Sequence, residues 1–191
     1  MHELDKIALR KALRQQRAQL TREQVTAAGE AVARQILACD AFRKAKSIMG
    51  FLAFGKELSV DLVLEQALAM GKTVAVPHIE SATSFVPVRL KNLQDFDLDR
   101  YGIRTVRPPL ELIEPNAFDL VLVPGVAFGR DGSRMGMGAG YYDRFLPQAK
   151  QAVTMGVAYD CLLHESLPYD EHDVKMQCLV SESGILTLSP L

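Results

Sequence analysis

The sequence predicts an α/β protein: a mostly parallel sheet flanked by helices in three layers, preceded by a basic helix. Three observations lead there. Short apolar runs, Ser47 to Leu52, Thr73 to Val76, Leu120 to Val123 and Ala152 to Ala158, have the length and composition of buried strands. The first two flank a helix-length segment with start and stop signals, Ser59 and Gly71, so this β-α-β unit with short loops predicts a parallel pair and a right-handed crossover. The third runs into a glycine-rich turn with a helix start behind it.

Composition narrows the class. A chain of 191 residues suits one domain spanning residues 1–191. With 48% hydrophobic residues and a net charge of −1, it reads as an ordinary globular protein, neither disordered nor built to bind nucleic acid. No apolar run approaches the ~20 residues of a membrane span. The charged N-terminus lacks an apolar signal core, so a cytoplasmic location is expected. Cys39, Cys161 and Cys178 are far apart and odd in number, which points to reduced thiols.

Residues 3 to 20 read as a helix. Leu9, Leu13 and Leu20 share one stripe, while Lys6, Arg10, Arg14 and Arg17 share an adjacent face. Such a basic face is either solvated or leans over a polyanion. Thr21 to Gln24 has the form of a capping box, opening a second helix that runs to about Ala38. Ser47 to Leu52 is the first strand, and Ala53 to Leu58 is a turn containing Glu57, at the strand end where α/β sheets collect ligands. On its own this is equally a solvated turn glutamate. Ser59 caps the next helix and Gly71 ends it. Thr73 to Val76 is a strand stopped by Pro77, and Ser84 to Leu90 is a strand that Pro87 marks as an edge. Residues 91 to 116 are irregular. Ala152 to Ala158 is a buried strand, Tyr159 to Leu163 a turn or short helix, and Cys178 to Val180 a last apolar run.

Asp119 to Leu146, DLVLVPGVAFGRDGSRMGMGAGYYDRFL, is the centre of the chain. A strand ends at Pro124-Gly125, then Gly136, Gly138 and Gly140 alternate before a helix near Tyr141. Glycines let a backbone approach phosphate closely, and helix N–H groups favour an anion. The spacing is neither the G-x-G-x-x-G dinucleotide fingerprint nor a P-loop ending in G-K-[ST]. Phosphate binding and a ligand-free glycine turn both fit. Asp143, one turn into that helix, suits Mg²⁺ beside phosphates or merely complements the helix dipole. Arg134 suits a bidentate phosphate contact or a surface loop, and Arg144 is expected to pair with a local acid. Tyr141 and Tyr142 read as packing aromatics, one of them able to stack on a ligand ring. His2, His78, His164 and His172 form no zinc spacing, and no G-x-S-x-G elbow is present.

The run VPGVAF followed by R-x-G-x-G-x-G-Y-Y-D-R resembles the signature of the 5-formyltetrahydrofolate cyclo-ligase family. The resemblance extends thinly over most of the chain and implies a Rossmann-like domain. It implies ATP-binding roles for Lys6 and Arg10, which match a K-x-x-L-R helix, and for Arg134, Gly136, Gly138, Gly140, Tyr141 and Tyr142. On the folate side it implies Leu52, Glu57, Met137, Gly138, Ala139, Gly140 and Tyr141. It implies Mg²⁺ at Asp143 and at Asp173, the latter within Pro168-x-x-x-x-Asp173. Two departures stand out. Tyr101-Gly102-Ile103 continues as Arg104-Thr105-Val106 where the family has an acid and a proline, and Gln177 replaces a second acid. Met137 and Ala139 are uncharged where some relatives are basic, which implies a weaker grip on polyglutamate tails.

The implied function is ATP- and Mg²⁺-dependent conversion of 5-formyltetrahydrofolate to 5,10-methenyltetrahydrofolate by a cytoplasmic monomer, with no nucleic-acid or membrane partner. Two rivals stay open: a non-catalytic folate or nucleotide binder, and an ATP-dependent ligase with a different substrate.

Overall fold

The computed structural model describes residues 3–94, 96–99 and 102–189. Helices α1 (Glu3–Ala18) and α2 (Arg22–Ala38) meet at Thr21. The capping box forms there: Thr21 Oγ1 accepts from the Gln24 amide at 3.2 Å, and Gln24 Oε1 accepts from the Thr21 amide at 2.8 Å. A short α3 (Asp40–Lys44) leads into β1 (Ser47–Met49), then α4 (Asp61–Ala69), β2 (Thr73–Ile79) and β3 (Phe85–Arg89). A hairpin of β4 (Phe96–Leu98) and β5 (Arg104–Val106) follows, then β6 (Leu120–Val123), β7 (Ala127–Gly129) and β8 (Arg134–Met135). The chain closes with α5 (Tyr141–Phe145), β9 (Val153–Val157), β10 (Leu163–His164), β11 (Cys178–Ser181) and β12 (Gly184–Thr187).

Seven strands form the main sheet in the order β12-β11-β9-β6-β1-β2-β3. The five inner strands are parallel, and β3 and β12 add antiparallel to either edge. Alternation along the strands splits the core into two layers. Ile48, Leu120, Leu122, Met155 and Val180 pack with Val32, Ile36, Val63 and Leu64 of α2 and α4. Met49, Val121, Val123 and Leu179 pack on the opposite side with Phe118, Phe128 and Phe145. Both faces are covered, as a parallel sheet requires.

Several expectations shift. The first strand ends at Met49, not Leu52, although Gly50 still donates to Ala75 O at 2.9 Å. Val60, not Ser59, is the cap residue of α4; Ser59 Oγ accepts from the Asp61 amide at 3.1 Å. Gly71 ends the helix as expected, with φ of 73°. Pro77 does not stop β2, which runs on to Ile79 with Pro77 opposite Pro87. Beyond Ala75, β2 has no β1 partner, so the donor that proline lacks is not needed. The Pro87 carbonyl turns outward and accepts from Ile113 at 3.0 Å, so the expected edge strand is partly sheathed by residues 111–113. Within the supposedly irregular 91–116 stretch sits the β4–β5 hairpin; Tyr101 lies outside the described residues. A small sheet, β10-β7-β8, was not anticipated, because strands of two or three residues carry no readable period.

Candidate active site

The parallel strands run β2-β1-β6-β9-β11, so the chain winds one way from β1 and the other way from β6. The crevice outside the carboxyl ends of β1 and β6 is the topological switch point, where sheets of this kind take ligands. A cleft of ≈ 400 Å³ opens there, lined by Lys6, Arg10, Glu57, Gly125, Arg134, Met137, Ala139, Asp143 and Asp173 together with Gly136, Gly138, Gly140, Tyr141 and Tyr142. An adjoining compartment of ≈ 370 Å³ is lined by Phe51, Leu52, Pro77, His78, Phe85, Ile103, Arg104 and Thr105. The two share Glu57, Pro124, Tyr141 and Tyr142. Every residue that the family resemblance assigned to ATP, folate or Mg²⁺ therefore borders one or both.

Helix α1 delivers the first cations. Lys6 Nζ lies 2.7 Å from Asp173 Oδ2 and 2.9 Å from Asp170 Oδ2. Burial disfavours the charged amine, but the two carboxylates outweigh it and hold the lysine above its usual range. Burial likewise opposes the Asp173 carboxylate, yet Lys6 and the Asp170 amide keep it below its usual range. One turn along, Arg10 Nε donates to Gly136 O at 3.0 Å and lies across Gly138.

The loop from β8 to α5 is shaped by arginines as much as by glycines. A Cβ at Gly136 would stand 2.8 Å from Arg134 Nη1, and one at Gly140 would stand 2.8 Å from Arg144 Nη1. Gly138 and Gly140 also have positive φ, 107° and 66°, which side-chain-bearing residues rarely adopt. Arg144 pairs with no acid among the described residues, contrary to expectation. It donates to Thr83 O at 2.7 Å and to Ala139 O, bolting the loop to the β2–β3 turn. Tyr141 adds a bond from its hydroxyl to Ser81 O at 3.1 Å. Arg134 is buried; its Nη2 donates to Asp143 Oδ1 at 2.7 Å, its guanidinium lies 5.7 Å from the Tyr142 ring centre, and its Nε has no partner. The Tyr142 hydroxyl is also buried without a partner, and burial pushes it well above the usual phenol range.

Glu57 sits where the two compartments meet. Its Oε2 accepts from the Phe54 amide at 3.1 Å and its Oε1 lies 3.9 Å from Arg17 Nη1. Burial raises its pKa, with the Phe54 amide and Arg17 opposing.

No group of three or more metal-ligating side chains occurs among the described residues. Asp143 and Asp173 both border the cleft, and each leaves one carboxylate oxygen, Oδ2 and Oδ1 respectively, without a protein hydrogen bond among the described residues. That donor set suits Mg²⁺, which takes one or two carboxylates and fills its shell with phosphate oxygens and water. Gln177 does not border the cleft. Its side chain instead accepts from the Thr154 amide at 2.8 Å, joining β9 to the approach to β11. Asp170 and Arg17 went unassigned from sequence, although the acidic run 170–173 and the basic stripe of α1 carried their signals.

A doubly wound α/β domain with a cation- and glycine-lined cleft at its switch point is the class this geometry defines. Residues 2–182 match the model of the 5-formyltetrahydrofolate cyclo-ligase family. The chain is 31% identical over 178 residues to 5-formyltetrahydrofolate cyclo-ligase of Escherichia coli K12, covering 91% of this chain and 98% of that one. To the mouse protein of that name it is 26% identical, with 94% of each chain covered. The solution structure of Aquifex aeolicus 5,10-methenyltetrahydrofolate synthetase matches with a TM-score of 0.85 at 28% identity, over 97% of this chain and 94% of that one. The chain belongs to the 5-formyltetrahydrofolate cyclo-ligase family, ligases of folate one-carbon metabolism. No helix among the described residues is long and apolar enough to cross a membrane.

Proposed function

We propose that this chain converts 5-formyltetrahydrofolate to 5,10-methenyltetrahydrofolate, using ATP with Mg²⁺ and releasing ADP and phosphate. The observation that carries the reading is the paired cleft: a compartment of cations and glycines joined to a more apolar one through Glu57, Pro124, Tyr141 and Tyr142. In this reading Lys6, Arg10, Arg134, the glycine loop and Tyr142 take the nucleotide. Leu52, Glu57 and Met137 to Tyr141 take the folate. Asp143 and Asp173 hold Mg²⁺, whose charge offsets that of the phosphates when it is bound.

The N5-formyl group is an amide and a poor electrophile. Its oxygen attacks the γ-phosphorus and ADP leaves, so the formyl oxygen becomes a phosphate leaving group. N10 then adds to the formyl carbon, and loss of phosphate and the N10 proton yields the methenyl bridge. The chain's part is alignment and charge stabilisation rather than covalent chemistry. Arg134 is pre-aimed by Asp143, and Arg10 is anchored through Nε to the glycine loop. We further propose that residues 1–191 act as one domain, as a cytoplasmic monomer.

The test is absorbance in the methenyl-folate band after mixing the protein with 5-formyltetrahydrofolate, ATP and Mg²⁺. A rise that requires both ATP and Mg²⁺, and that a folded Asp143→Ala variant loses, is the expected outcome. ATP binding with no rise would instead favour a binder or a different substrate.

A further inference from the structure

Arg17 is buried, yet it borders neither compartment. It leaves α1 and reaches into the switch-point crevice, where Nη1 donates to Gly125 O at 3.2 Å and stands 3.9 Å from Glu57 Oε1. Gly125 follows β6 and Glu57 follows β1, so one guanidinium spans both walls of the crevice. Burying an arginine is costly unless its charge and donors are met. A helix that needed only packing here would be served by leucine. Nor is Arg17 needed to hold the end of α1, because Lys56 Nζ donates to Ala18 O and Leu20 O, each at 2.5 Å.

We propose that Arg17 is a positioning residue for folate recognition: it supplies the counter-charge for Glu57 and, through the Gly125 carbonyl, sets the spacing of the two crevice walls. The proposal rests on the folate-side role given above to Glu57. A reduced pterin presents amino and ring N–H donors, which an ionised carboxylate accepts and a protonated one does not accept equally. Glu57 is mostly withdrawn from water, so its ionisation depends on its neighbours. Those neighbours are Arg17 from α1, Tyr142 from α5, Tyr159 beyond β9 and the Phe54 amide of its own turn. Lys6, Arg10, Arg134, Asp143, Asp170 and Asp173 share the first compartment with it, and His78, Asp99 and Arg104 share the second. Of the charged groups, Arg17 stands in ion-pair range. The same helix carries Lys6 and Arg10, so α1 serves both substrate sides at once.

The experiment is a carboxyl ¹³C NMR titration of Glu57, assigned with Glu57→Gln, in native protein, Arg17→Gln and Arg17→Lys. Glutamine keeps a donor for Gly125 O without the charge; lysine keeps the charge. Glu57 should titrate about one pH unit higher in Arg17→Gln and near its native value in Arg17→Lys, the scale expected for losing an opposite charge within ~4–6 Å. In turnover at the native Glu57 midpoint, Arg17→Gln should raise KM for 5-formyltetrahydrofolate about fivefold, as the ionised fraction of Glu57 falls from about one half to about one in eleven, with KM for ATP unchanged. Native-like titration in Arg17→Gln, or both KM values rising together, would overturn the proposal. If the native protein forms no methenyl product, the cyclo-ligase reading falls, and the titration alone still decides whether Arg17 sets the charge of Glu57.

Discussion

In the folate-side role proposed for it, Glu57 trades stability for recognition. Its folded-state pKa is raised above the ordinary glutamate value of 4.5 by burial, against which the Phe54 amide and Arg17 act. A raised carboxyl pKa favours the fold only while the group is protonated, so that contribution is present below 4.5 and lost as pH rises through the folded value. Glu57→Gln should therefore raise the thermal midpoint at pH 7, and the gain should fade below pH 4.5. The same change should weaken 5-formyltetrahydrofolate binding roughly ten- to a hundredfold, the worth of one hydrogen bond to a charged group. Calorimetric melting across pH, together with steady-state kinetics, checks both halves. A variant that is destabilised at pH 7 would contradict this account of the site.

At the scale of elements, the β8–α5 loop and the α1–α2 junction make contrasting predictions. Gly138 has φ of 107° and lies under Arg10, whose Nη1 would stand 3.4 Å from a new Cβ. Gly138→Ala should cost about 1–3 kcal/mol, the range for a non-glycine residue held in a sparsely populated backbone region. It should also raise KM for ATP, since Arg10 and the loop move together. Thr21→Ala removes a formed capping box and should cost about 1 kcal/mol of stability while leaving both KM values unchanged. Urea titration and kinetics on the two variants separate a loop that serves the site from a cap that serves only the fold. The capping box and the Gly71 stop were legible because their donors and acceptors lie within a few residues of one another. Arg144 was not, because its partners, Thr83 O and Ala139 O, are carbonyls that any sequence would offer.

Across the whole molecule, acid should unfold the protein through a small set of carboxylates. Asp119, just before β6, accepts from the amides of Lys46 at 2.7 Å and Ser47 at 2.9 Å, joining the approaches to two neighbouring parallel strands. Burial opposes its charge, but those amides and the Ser47 hydroxyl hold its pKa below the ordinary 3.8. A depressed carboxyl pKa contributes stability that is complete above the unfolded value and lost as pH falls through the folded one. Urea midpoints should thus fall below about pH 4 in the native protein, and Asp119→Asn should flatten that limb while lowering stability at pH 7. Asp131, Asp160 and Asp173 are held low in the same way and share the effect.

The parallel core, the start of α2 and the glycine-rich turn could all be read from the chain, because each is written in local pattern: apolar runs, a capping box, and glycines where a Cβ would not fit. The motif from Arg134 to Arg144 also marked the family and much of the lining of the cleft. Tertiary structure alone decided how those pieces meet. The strand order places the switch point between β1 and β6, which brings Glu57 within reach of residues far along the chain. It pairs Lys6 with Asp170 and Asp173, and it turns Gln177 away to Thr154. It also selects Arg17 from a uniform basic stripe as the guanidinium that is buried against both crevice walls. Periodicity says which face of a helix is charged. Which charge loses its water depends on what the rest of the fold lays against it, and that long-range packing is not encoded in any short window of sequence.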